Sequence, residues 1–363
     1  MRDDHDWAGF PWPPGSATGI GSMPGTDPAE AMRVVAGELP DFPHLPELPD
    51  RGPGADLTGR TAGLLVGIAA EATPRGWRLA DRPGRDLTRA RSMLSSDLDV
   101  AEEALQGFRG PLKIQLCGPW TLAATLELPR SMNMALADSG AVADLAASLA
   151  EGAAAHAAEV AKRVPGARLV VQFDEPALPA VAAGSVPTAS GLSRLAPVEA
   201  ETLRERLALV LAATGGQYTV VHCCATAVPF GIIQAAGAGG VAFDPGLLRH
   251  GDEDGLAAAA EAGMGLLTGA VAAAPGQAPP GADAGPGRRE PSGRTGAARS
   301  AAEQVTGLWR RLGLRPAAEQ VVITPACGLA GVSPGQAVRV LGRCRQAAAM
   351  LPEMMEETGG QSR

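Results

Sequence analysis

Four residues of the metal-ligand types lie at widely separated points of the chain: His222, Cys224, Asp244 and Cys327. Two thiolates, an imidazole and a carboxylate make a tetrahedral donor set that suits Zn²⁺. Alternate residues of an extended segment point the same way, so His222 and Cys224 can share a site while Cys223 points away. The spacing differs from the local spacing of a zinc finger. The ligands can therefore meet only if a large fold brings them together.

Other polar side chains follow apolar runs of the sequence. Ser22, Glu47 and Asp174 each come directly after such a run or close behind it. Taken singly, each has a simple structural explanation: Asp174 is suited to capping a helix and Ser22 to a turn. Asp244 before Pro245 is likewise suited to a turn. Their joint placement after apolar runs is what points to a site.

Eight short apolar runs alternate with longer segments of helical periodicity. The runs span residues 17–21, 42–45, 112–117, 168–173, 218–222, 240–243, 265–271 and 320–324. The helical segments span residues 27–38, 87–107, 141–163, 197–213, 229–236, 254–262, 301–312 and 334–355. This alternation predicts an α/β protein with a (β/α)8 TIM barrel. An open doubly wound sheet is the alternative, but no Gly-x-Gly-x-x-Gly motif follows the first strand.

The predicted barrel forms a single domain over residues 17–355. Residues 1–16 are expected to be an N-terminal extension and residues 356–363 a C-terminal tail. Residues 274–299, rich in Pro, Gly and Ala, are expected to be a flexible loop after the seventh strand. Active sites of such barrels lie at the C-terminal ends of the strands, where the polar residues described above fall.

The composition argues against several classes of protein. The 363-residue chain has a formal net charge of −8, and aromatic residues make up 3%, so no nucleic-acid partner is expected. No apolar stretch of about 18 residues predicts a membrane span. The first residues lack the features of a signal peptide, so we expect a cytoplasmic protein. In a reducing compartment Cys117, Cys223 and Cys344 are expected to be buried thiols.

Five motifs are specific in combination, although each alone is weak. They read Ile20-Gly21-Ser22-Met23-Pro24, Cys117-Gly118-Pro119-Trp120-Thr121, Gln172-Phe173-Asp174-Glu175-Pro176-Ala177-Leu178, His222-Cys223-Cys224 and Pro325-Ala326-Cys327-Gly328-Leu329. Together they resemble the cobalamin-independent methionine synthase family, in particular its C-terminal catalytic barrel and its short archaeal form. The resemblance covers nearly the whole chain.

The resemblance implies an S-methyltransferase that converts homocysteine to methionine on a catalytic zinc ion. The implied zinc ligands are His222, Cys224, Asp244 and Cys327. The implied carboxylate-binding segment is Ile20, Gly21 and Ser22. Asp174 would hold the substrate amino group as a catalytic residue, and Glu47 would have a second acidic role.

Three departures from the family pattern leave the methyl donor open. Asp244 stands where the family has a glutamate. The N-terminal half of the long enzymes, with part of their folate site, is absent. No histidine follows the seventh predicted strand. Methyltetrahydrofolate and a methylated corrinoid, free or on a partner protein, are both compatible with the sequence.

Other functions remain open at this stage. A zinc enzyme could alkylate another small thiol, or a non-catalytic barrel could bind zinc or a thiol. A metal-free decarboxylase of the uroporphyrinogen decarboxylase type would need arginines near its N-terminal motif, and residues 15–27 contain none.

Overall fold

The structure, a computed structural model, describes residues 9–273, 294–315 and 317–360. Its strands are β1 (Ser16–Ala17), β2 (Ala69–Thr73), β3 (Gly76–Ala80), β4 (Gly110–Cys117), β5 (Leu126–Glu127), β6 (Ala167–Asp174), β7 (Tyr218–Cys223), β8 (Gly240–Phe243), β9 (Gly265–Val271) and β10 (Val321–Pro325). Seven of these form one curled, parallel sheet in the order β1-β10-β9-β8-β7-β6-β4. The predicted α/β class with a parallel sheet is confirmed.

The helices of the described residues follow the strands in the expected alternation. They are α1 (Pro28–Glu38), α2 (Leu57–Ala62), α3 (Arg85–Ala104), α4 (Pro119–Thr125), α5 (Ser139–Arg163), α6 (Leu178–Ala182), α7 (Ala200–Ala212), α8 (Phe230–Ala235), α9 (Glu253–Glu261), α10 (Arg294–Arg311) and α11 (Pro334–Gly360). Local chemistry sets their starts: the Asp27 side chain accepts hydrogen bonds from the first N–H groups of α1, and Asp138 does so for α5. Within the described residues, none of these helices is long and apolar enough to cross a membrane.

The second predicted strand, residues 42–45, is not a regular strand. Residues 43–47 instead make single parallel bridges, His44 with Lys113 on β4 and Ser22 with Glu47. These bridges connect the two edges of the seven-stranded sheet through residues 43–47. Pro43 and Pro46 lack an N–H group, so this segment cannot continue the regular ladder of hydrogen bonds. The expectation of eight regular strands therefore falls short at this position.

Strand residues alternate between two apolar layers. Outward-facing side chains such as Ile114, Val171 and Val221 join the core beneath the helices. A smaller cluster lies on the inner side of the curled sheet, formed by Phe10, Trp12, Phe42, Val170, Val220, Ala242, Leu267 and Val322. Toward the C-terminal ends of β4, β6 and β7, the same inner rows continue as polar side chains, and these form the site described below.

The N-terminal segment contributes to this inner cluster. Trp12 is fully buried, stacks against Phe42 and donates a hydrogen bond from Nε1 to the Glu319 carbonyl at 3.0 Å. Phe10 stacks on Trp12. Residues 9–16 of the predicted extension are thus packed into the fold.

Two differences concern segments outside the main sheet. β2 and β3 form an antiparallel hairpin that continues into β5, and the sequence analysis did not predict this small sheet. Helix α10 begins at Arg294, so residues 294–299 of the expected loop are helical, and Ala298 is fully buried. The rest of that loop prediction, residues 274–293, lies outside the described residues, as does the end of the predicted tail.

Acid should destabilise the fold through His156. This residue lies on α5 with 4% of its surface exposed, and its Nε2 atom has no hydrogen-bond partner among the described residues. Burial, with the Arg60 charge acting in the same direction, lowers the pKa of His156 to about 3. The unfolded chain binds a proton at this position below its ordinary pKa of 6.5, whereas the folded chain does not. Stability is therefore lost as the pH falls from about 6.5 toward 3, by up to about 1.4 kcal/mol per pH unit.

Urea unfolding of wild type and His156→Gln between pH 7 and pH 4 tests this expectation. As the pH falls, wild type should lose more unfolding free energy than the variant, because only wild type carries the buried imidazole. His250→Gln is the matched control because the His250 side chain is fully exposed. A difference that stays constant with pH would contradict the assignment to His156.

Candidate active site

A carboxylate and an imidazole meet at the C-terminal ends of β6 and β7. Asp174 and His222 are paired in the register of these strands, and Asp174 Oδ1 lies 2.6 Å from His222 Nδ1. Both residues are buried. Since Nδ1 faces a carboxylate, the contact favours the tautomer with the proton on Nδ1 and the lone pair on Nε2. His222 Nε2 is buried and has no partner among the described residues, so it is free to bind a ligand.

Two thiols meet next to this imidazole. Cys224 follows β7, Cys327 follows β10, and their Sγ atoms are 3.3 Å apart as free cysteines. The hydrogen bond between the two thiols lowers the pKa of Cys327 to about 6 against the opposing effect of burial, and it raises the pKa of Cys224. Cys223 is buried in the outer apolar layer, as the alternation along the strand predicts. The structure therefore brings the two predicted thiol ligands into contact, with His222 two residues before Cys224 at the end of β7.

This donor set fits a zinc ion in its chemistry, although the side chains are not arranged around one. Two thiols and an unpartnered imidazole nitrogen are typical zinc donors, and a carboxylate behind the imidazole is a common second partner. In the described part of the chain, no group of three or more His, Cys, Asp and Glu side chains is placed so that it could hold a metal ion. Binding would therefore need a rearrangement of these side chains.

Asp244 lies at the end of the neighbouring strand but has another partner. β7 and β8 pair with Cys223 opposite Phe243, so Cys224 and Asp244 are the next residues of adjacent strands. Asp244 Oδ1 accepts a hydrogen bond from Gly246 N at 2.7 Å and caps a short 3-10 helix. Burial raises the pKa of this carboxyl. The role of Asp244 as a fourth ligand stays a prediction.

The predicted carboxylate-binding segment, residues 20–22, lies beside the same end of the sheet. Ser22 bridges to Glu47, and its carbonyl accepts a hydrogen bond from Leu329 N at 2.8 Å. Ser22 is also so close to Gly328 that a β-carbon there would stand 2.1 Å from Ser22 Oγ. The segment is thereby held against the loop that carries Cys327.

Glu47 is buried at the edge of this cluster. Its Oε1 atom lies 3.6 Å from Arg60 Nε and has no hydrogen-bond partner among the described residues. Burial raises the pKa of Glu47 to about 7; the Asp174 charge raises it further and the Arg60 charge opposes the shift. Glu47 therefore lies within electrostatic range of Asp174, the other predicted acidic residue.

Three buried polar residues of the inner rows carry no role in the sequence analysis: Lys113, Gln115 and Gln172. Lys113 Nζ donates to the Ile20 carbonyl at 2.7 Å, and Gln172 Nε2 donates to Asp174 Oδ1 at 2.7 Å. A signal was present: Lys113 is one of only two lysines in an arginine-rich chain, and it interrupts an apolar strand. A single buried lysine could not be connected to Asp174 without the register of the strands.

Glu175, next to Asp174, has a structural role. It is fully buried, and its carboxylate accepts hydrogen bonds from Trp120 N, Thr121 N and Thr121 Oγ1 at 2.7–2.8 Å, which caps the start of α4. Gly118 allows this approach, since a β-carbon there would stand 2.4 Å from Glu175 Oε1.

Replacing this cap should weaken the fold. In Glu175→Gln one acceptor oxygen becomes an NH₂ group that faces a backbone N–H, which should cost about 1–3 kcal/mol of unfolding free energy. Urea unfolding measures the change, with Glu356→Gln on the exposed face of α11 as the matched control. Equal midpoints for Glu175→Gln and wild type would show that the cap contributes nothing.

Comparison with solved structures identifies similar folds. A B12-independent methionine synthase from Shewanella sp. W3-18-1, in complex with selenomethionine, superposes with a TM-score of 0.59 and 12% identity, over 95% of this chain and 100% of that chain. A methyltransferase from Methanosarcina mazei superposes with a TM-score of 0.58 and 15% identity, over 93% of this chain and 95% of that chain. No family model and no curated protein matches the sequence.

These similarities extend over nearly the whole chain, but the identities are low. They show that the chain has the fold of these methyltransferases, which confirms at the level of fold the resemblance found in the sequence. A shared fold does not by itself establish a shared reaction.

Proposed function

We propose that this protein is a zinc-dependent methyltransferase that moves a methyl group to the thiol of homocysteine and so forms methionine. The observation that supports this most directly is the meeting of Cys224 and Cys327 beside His222, whose Nδ1 atom is held by Asp174. The fold, shared with a methionine synthase and a methyltransferase, supports the class of reaction. We further propose that the curled sheet and residues 43–47 together form a (β/α)8 barrel, with the site at the C-terminal ends of its strands.

The proposed zinc ligands are His222, Cys224, Cys327 and Asp244. When bound there, zinc would favour the thiolate form of a substrate thiol and orient it. Asp174 keeps the imidazole in the orientation that leaves Nε2 for the ligand position. Asp244 would be the most weakly held of these four donors in a sulfur-rich site.

The remaining residues would bind the amino-acid part of homocysteine. Residues 20–22 would hold the α-carboxylate, since this segment lies beside the Cys327 loop. The described hydrogen bonds of the Asp174 carboxylate both fall on Oδ1, so Oδ2 can accept from the substrate ammonium group. Glu47 would be a second acidic group near that ammonium group.

The transfer balances without an added oxidant or reductant. The thiol gives up its proton, its sulfur forms a bond to the methyl carbon, and the bond between that carbon and the donor breaks with its electron pair remaining on the donor. We propose methyltetrahydrofolate or a methylated corrinoid as the donor, the latter free or on a partner protein. No histidine lies at residues 272–273, directly after β9, so these residues offer no imidazole to help a folate leaving group.

The test is methyl transfer by the purified full chain supplied with Zn²⁺. Homocysteine is combined with methyltetrahydrofolate or with methylcobalamin, and methionine is measured by mass spectrometry. Methionine formed with either donor, and absent without the protein, would support the proposal and name the donor. Turnover of a different thiol would favour a related alkyltransferase, and homocysteine binding without turnover on any donor would favour a binding protein.

A further inference from the structure

Lys113 is the centre of a hydrogen-bond network on the inner side of the sheet. The side chain is fully buried, and Nζ donates to the Ile20 carbonyl and to Gln172 Oε1, each at 2.7 Å. With the Gln115 amide turned so that its oxygen faces the ammonium group, it accepts a third bond at 2.9 Å and its nitrogen donates to the Leu45 carbonyl at 2.9 Å. Three acceptors match the three N–H bonds of an ammonium group. Burial lowers the pKa of Lys113 to about 7, against the opposing charges of Asp174 and Glu47, so these three hydrogen bonds are what favours the protonated form.

Gln172 connects this ammonium group to the site. Its Nε2 atom donates to the Ile20 carbonyl at 2.9 Å and to Asp174 Oδ1 at 2.7 Å. Asp174 Oδ1 in turn contacts His222 Nδ1 at 2.6 Å. The hydrogen bonds therefore run across three neighbouring strands, β4, β6 and β7, from the buried Lys113 Nζ to the imidazole.

The Ile20 carbonyl receives hydrogen bonds from both Lys113 and Gln172. This carbonyl begins the segment 20–22, which lies beside the Cys327 loop. One hydrogen-bond network thus contacts both parts of the site: the backbone of residues 20–22 and the Asp174–His222 pair.

Such a network is a poor way to stabilise a core. Burying an ammonium group is costly, and apolar side chains of similar volume are often as stabilising as a buried charged network. Directly below, Val170, Val220 and Ala242 fill the inner side of the sheet with apolar groups. What a fully satisfied polar network adds is a fixed arrangement of the groups that it joins.

We propose that Lys113 and Gln172 are positioning residues that fix the segment 20–22 and the Asp174–His222 pair relative to each other. For a substrate that binds its α-carboxylate at residues 20–22, its ammonium group at Asp174 and its thiol on the side of His222, this network sets the distances between these binding points. The substrate class is then an α-amino acid with a thiol at the end of its side chain. The identity of this substrate rests on the proposed function, whereas the positioning itself does not.

The test uses the full-length chain with three variants and two readouts. Gln172→Met removes both donated bonds at similar volume, and Gln172→Glu keeps the acceptor for Lys113 but donates nothing to Asp174 or Ile20. Lys113→Met removes the ammonium group. Lys162→Met, at an exposed position on α5, and Gln234→Met, at an exposed position on α8, are the matched controls. All proteins are first compared by thermal unfolding, so that a variant that fails to fold is set aside.

The first readout is amide hydrogen exchange and needs neither metal nor substrate. In the Gln172 variants, exchange in the peptide that covers residues 17–25 should be about tenfold faster than in wild type, the factor that corresponds to about 1.4 kcal/mol. Peptides from β8 and β9 should be unchanged, as should both controls. Unchanged exchange at residues 17–25 in folded Gln172→Met and Gln172→Glu would overturn the proposal. This test therefore holds even if Lys113→Met does not fold.

The second readout separates this proposal from the proposed function. In a competition with a chelator, the Gln172 variants should bind Zn²⁺ about 10-fold more weakly or worse, as expected when a partner behind a metal ligand is lost. The KM for homocysteine should rise in Lys113→Met and in both Gln172 variants. If the wild type transfers no methyl group, the proposed function is wrong. The hydrogen-exchange result then still tests the positioning role of Lys113 and Gln172. Accelerated exchange throughout the chain would show a merely structural role.

Discussion

Serine at either Cys224 or Cys327 is expected to abolish both stoichiometric zinc binding and methyl transfer, while the fold is retained. The two Sγ atoms are 3.3 Å apart, and neither side chain belongs to the apolar core. A serine hydroxyl stays protonated at neutral pH and is a poor zinc donor, whereas a thiolate is a strong one. Zinc affinity should fall further than the roughly 10- to 100-fold seen when a residue that hydrogen-bonds a metal ligand is removed.

Elemental mass spectrometry of the purified, reduced proteins measures the metal content directly. Cys223→Ser is the matched control because Cys223 is adjacent in sequence but packs in the outer apolar layer, where burial raises its pKa to about 12. This control should keep one zinc per chain and lose some stability. If wild type, supplied with zinc, carries none, or if Cys224→Ser and Cys327→Ser keep theirs, the proposed metal site is wrong.

Asparagine at position 174 is the second change with a large expected effect. Asp174 Oδ1 accepts a hydrogen bond from Gln172 Nε2 and lies next to His222 Nδ1. The carboxylate therefore orients the imidazole so that Nε2 can bind a metal. Asparagine keeps the shape and one oxygen but removes this charge, and one of its two polar atoms becomes a donor. Zinc affinity should fall about 10- to 100-fold. Methyl transfer should fall further, because the proposed contact to the substrate ammonium group also depends on the charge.

Chelator competition gives the zinc affinity, and steady-state kinetics at saturating zinc separates the loss of metal from the loss of substrate binding. Asp144→Asn, at an exposed position on α5, is the matched control and should behave as wild type. If Asp174→Asn binds zinc as tightly as wild type and retains the same KM for homocysteine, the carboxylate supports neither the imidazole nor the substrate.

The two results together would separate the remaining functions. Loss of zinc in the cysteine variants with retained homocysteine binding in wild type, but no turnover, would identify a binding protein. Turnover that depends on both cysteines and on Asp174 would identify a thiol methyltransferase. The choice of donor would then decide between a folate enzyme and one that takes its methyl group from a corrinoid.

Much of the fold could be predicted from the sequence because the local signals are strong. Short continuous apolar runs are typical of strands buried on both faces, and Asp27 and Asp138 mark helix starts by their capping chemistry. The prediction of a regular strand at residues 42–45 is wrong because hydrophobicity alone does not report the missing N–H groups of Pro43 and Pro46. The start of α10 at Arg294 was missed because its first residues share the Gly- and Ala-rich composition of the preceding segment.

Part of the candidate site could likewise be predicted from the sequence, and part could not. Residue types and the two-residue spacing of His222 and Cys224 were enough to predict that they share a site, since alternation along a strand is a local property. The approach of Cys327 to Cys224 was expected from their positions after strands. The contact of Asp174 with His222 was not predicted and depends on the register of β6 and β7.

Only the tertiary structure decided how the inner side of the sheet is used. The sequence by itself determined that Lys113 and Gln172 lie on strands, and that His222, Cys224 and Cys327 follow or end strands. It could not determine that Lys113, Gln172, Asp174 and His222 form one connected network. Those contacts join residues on three different strands, and their distances depend on strand order, register and curl, which no local pattern encodes.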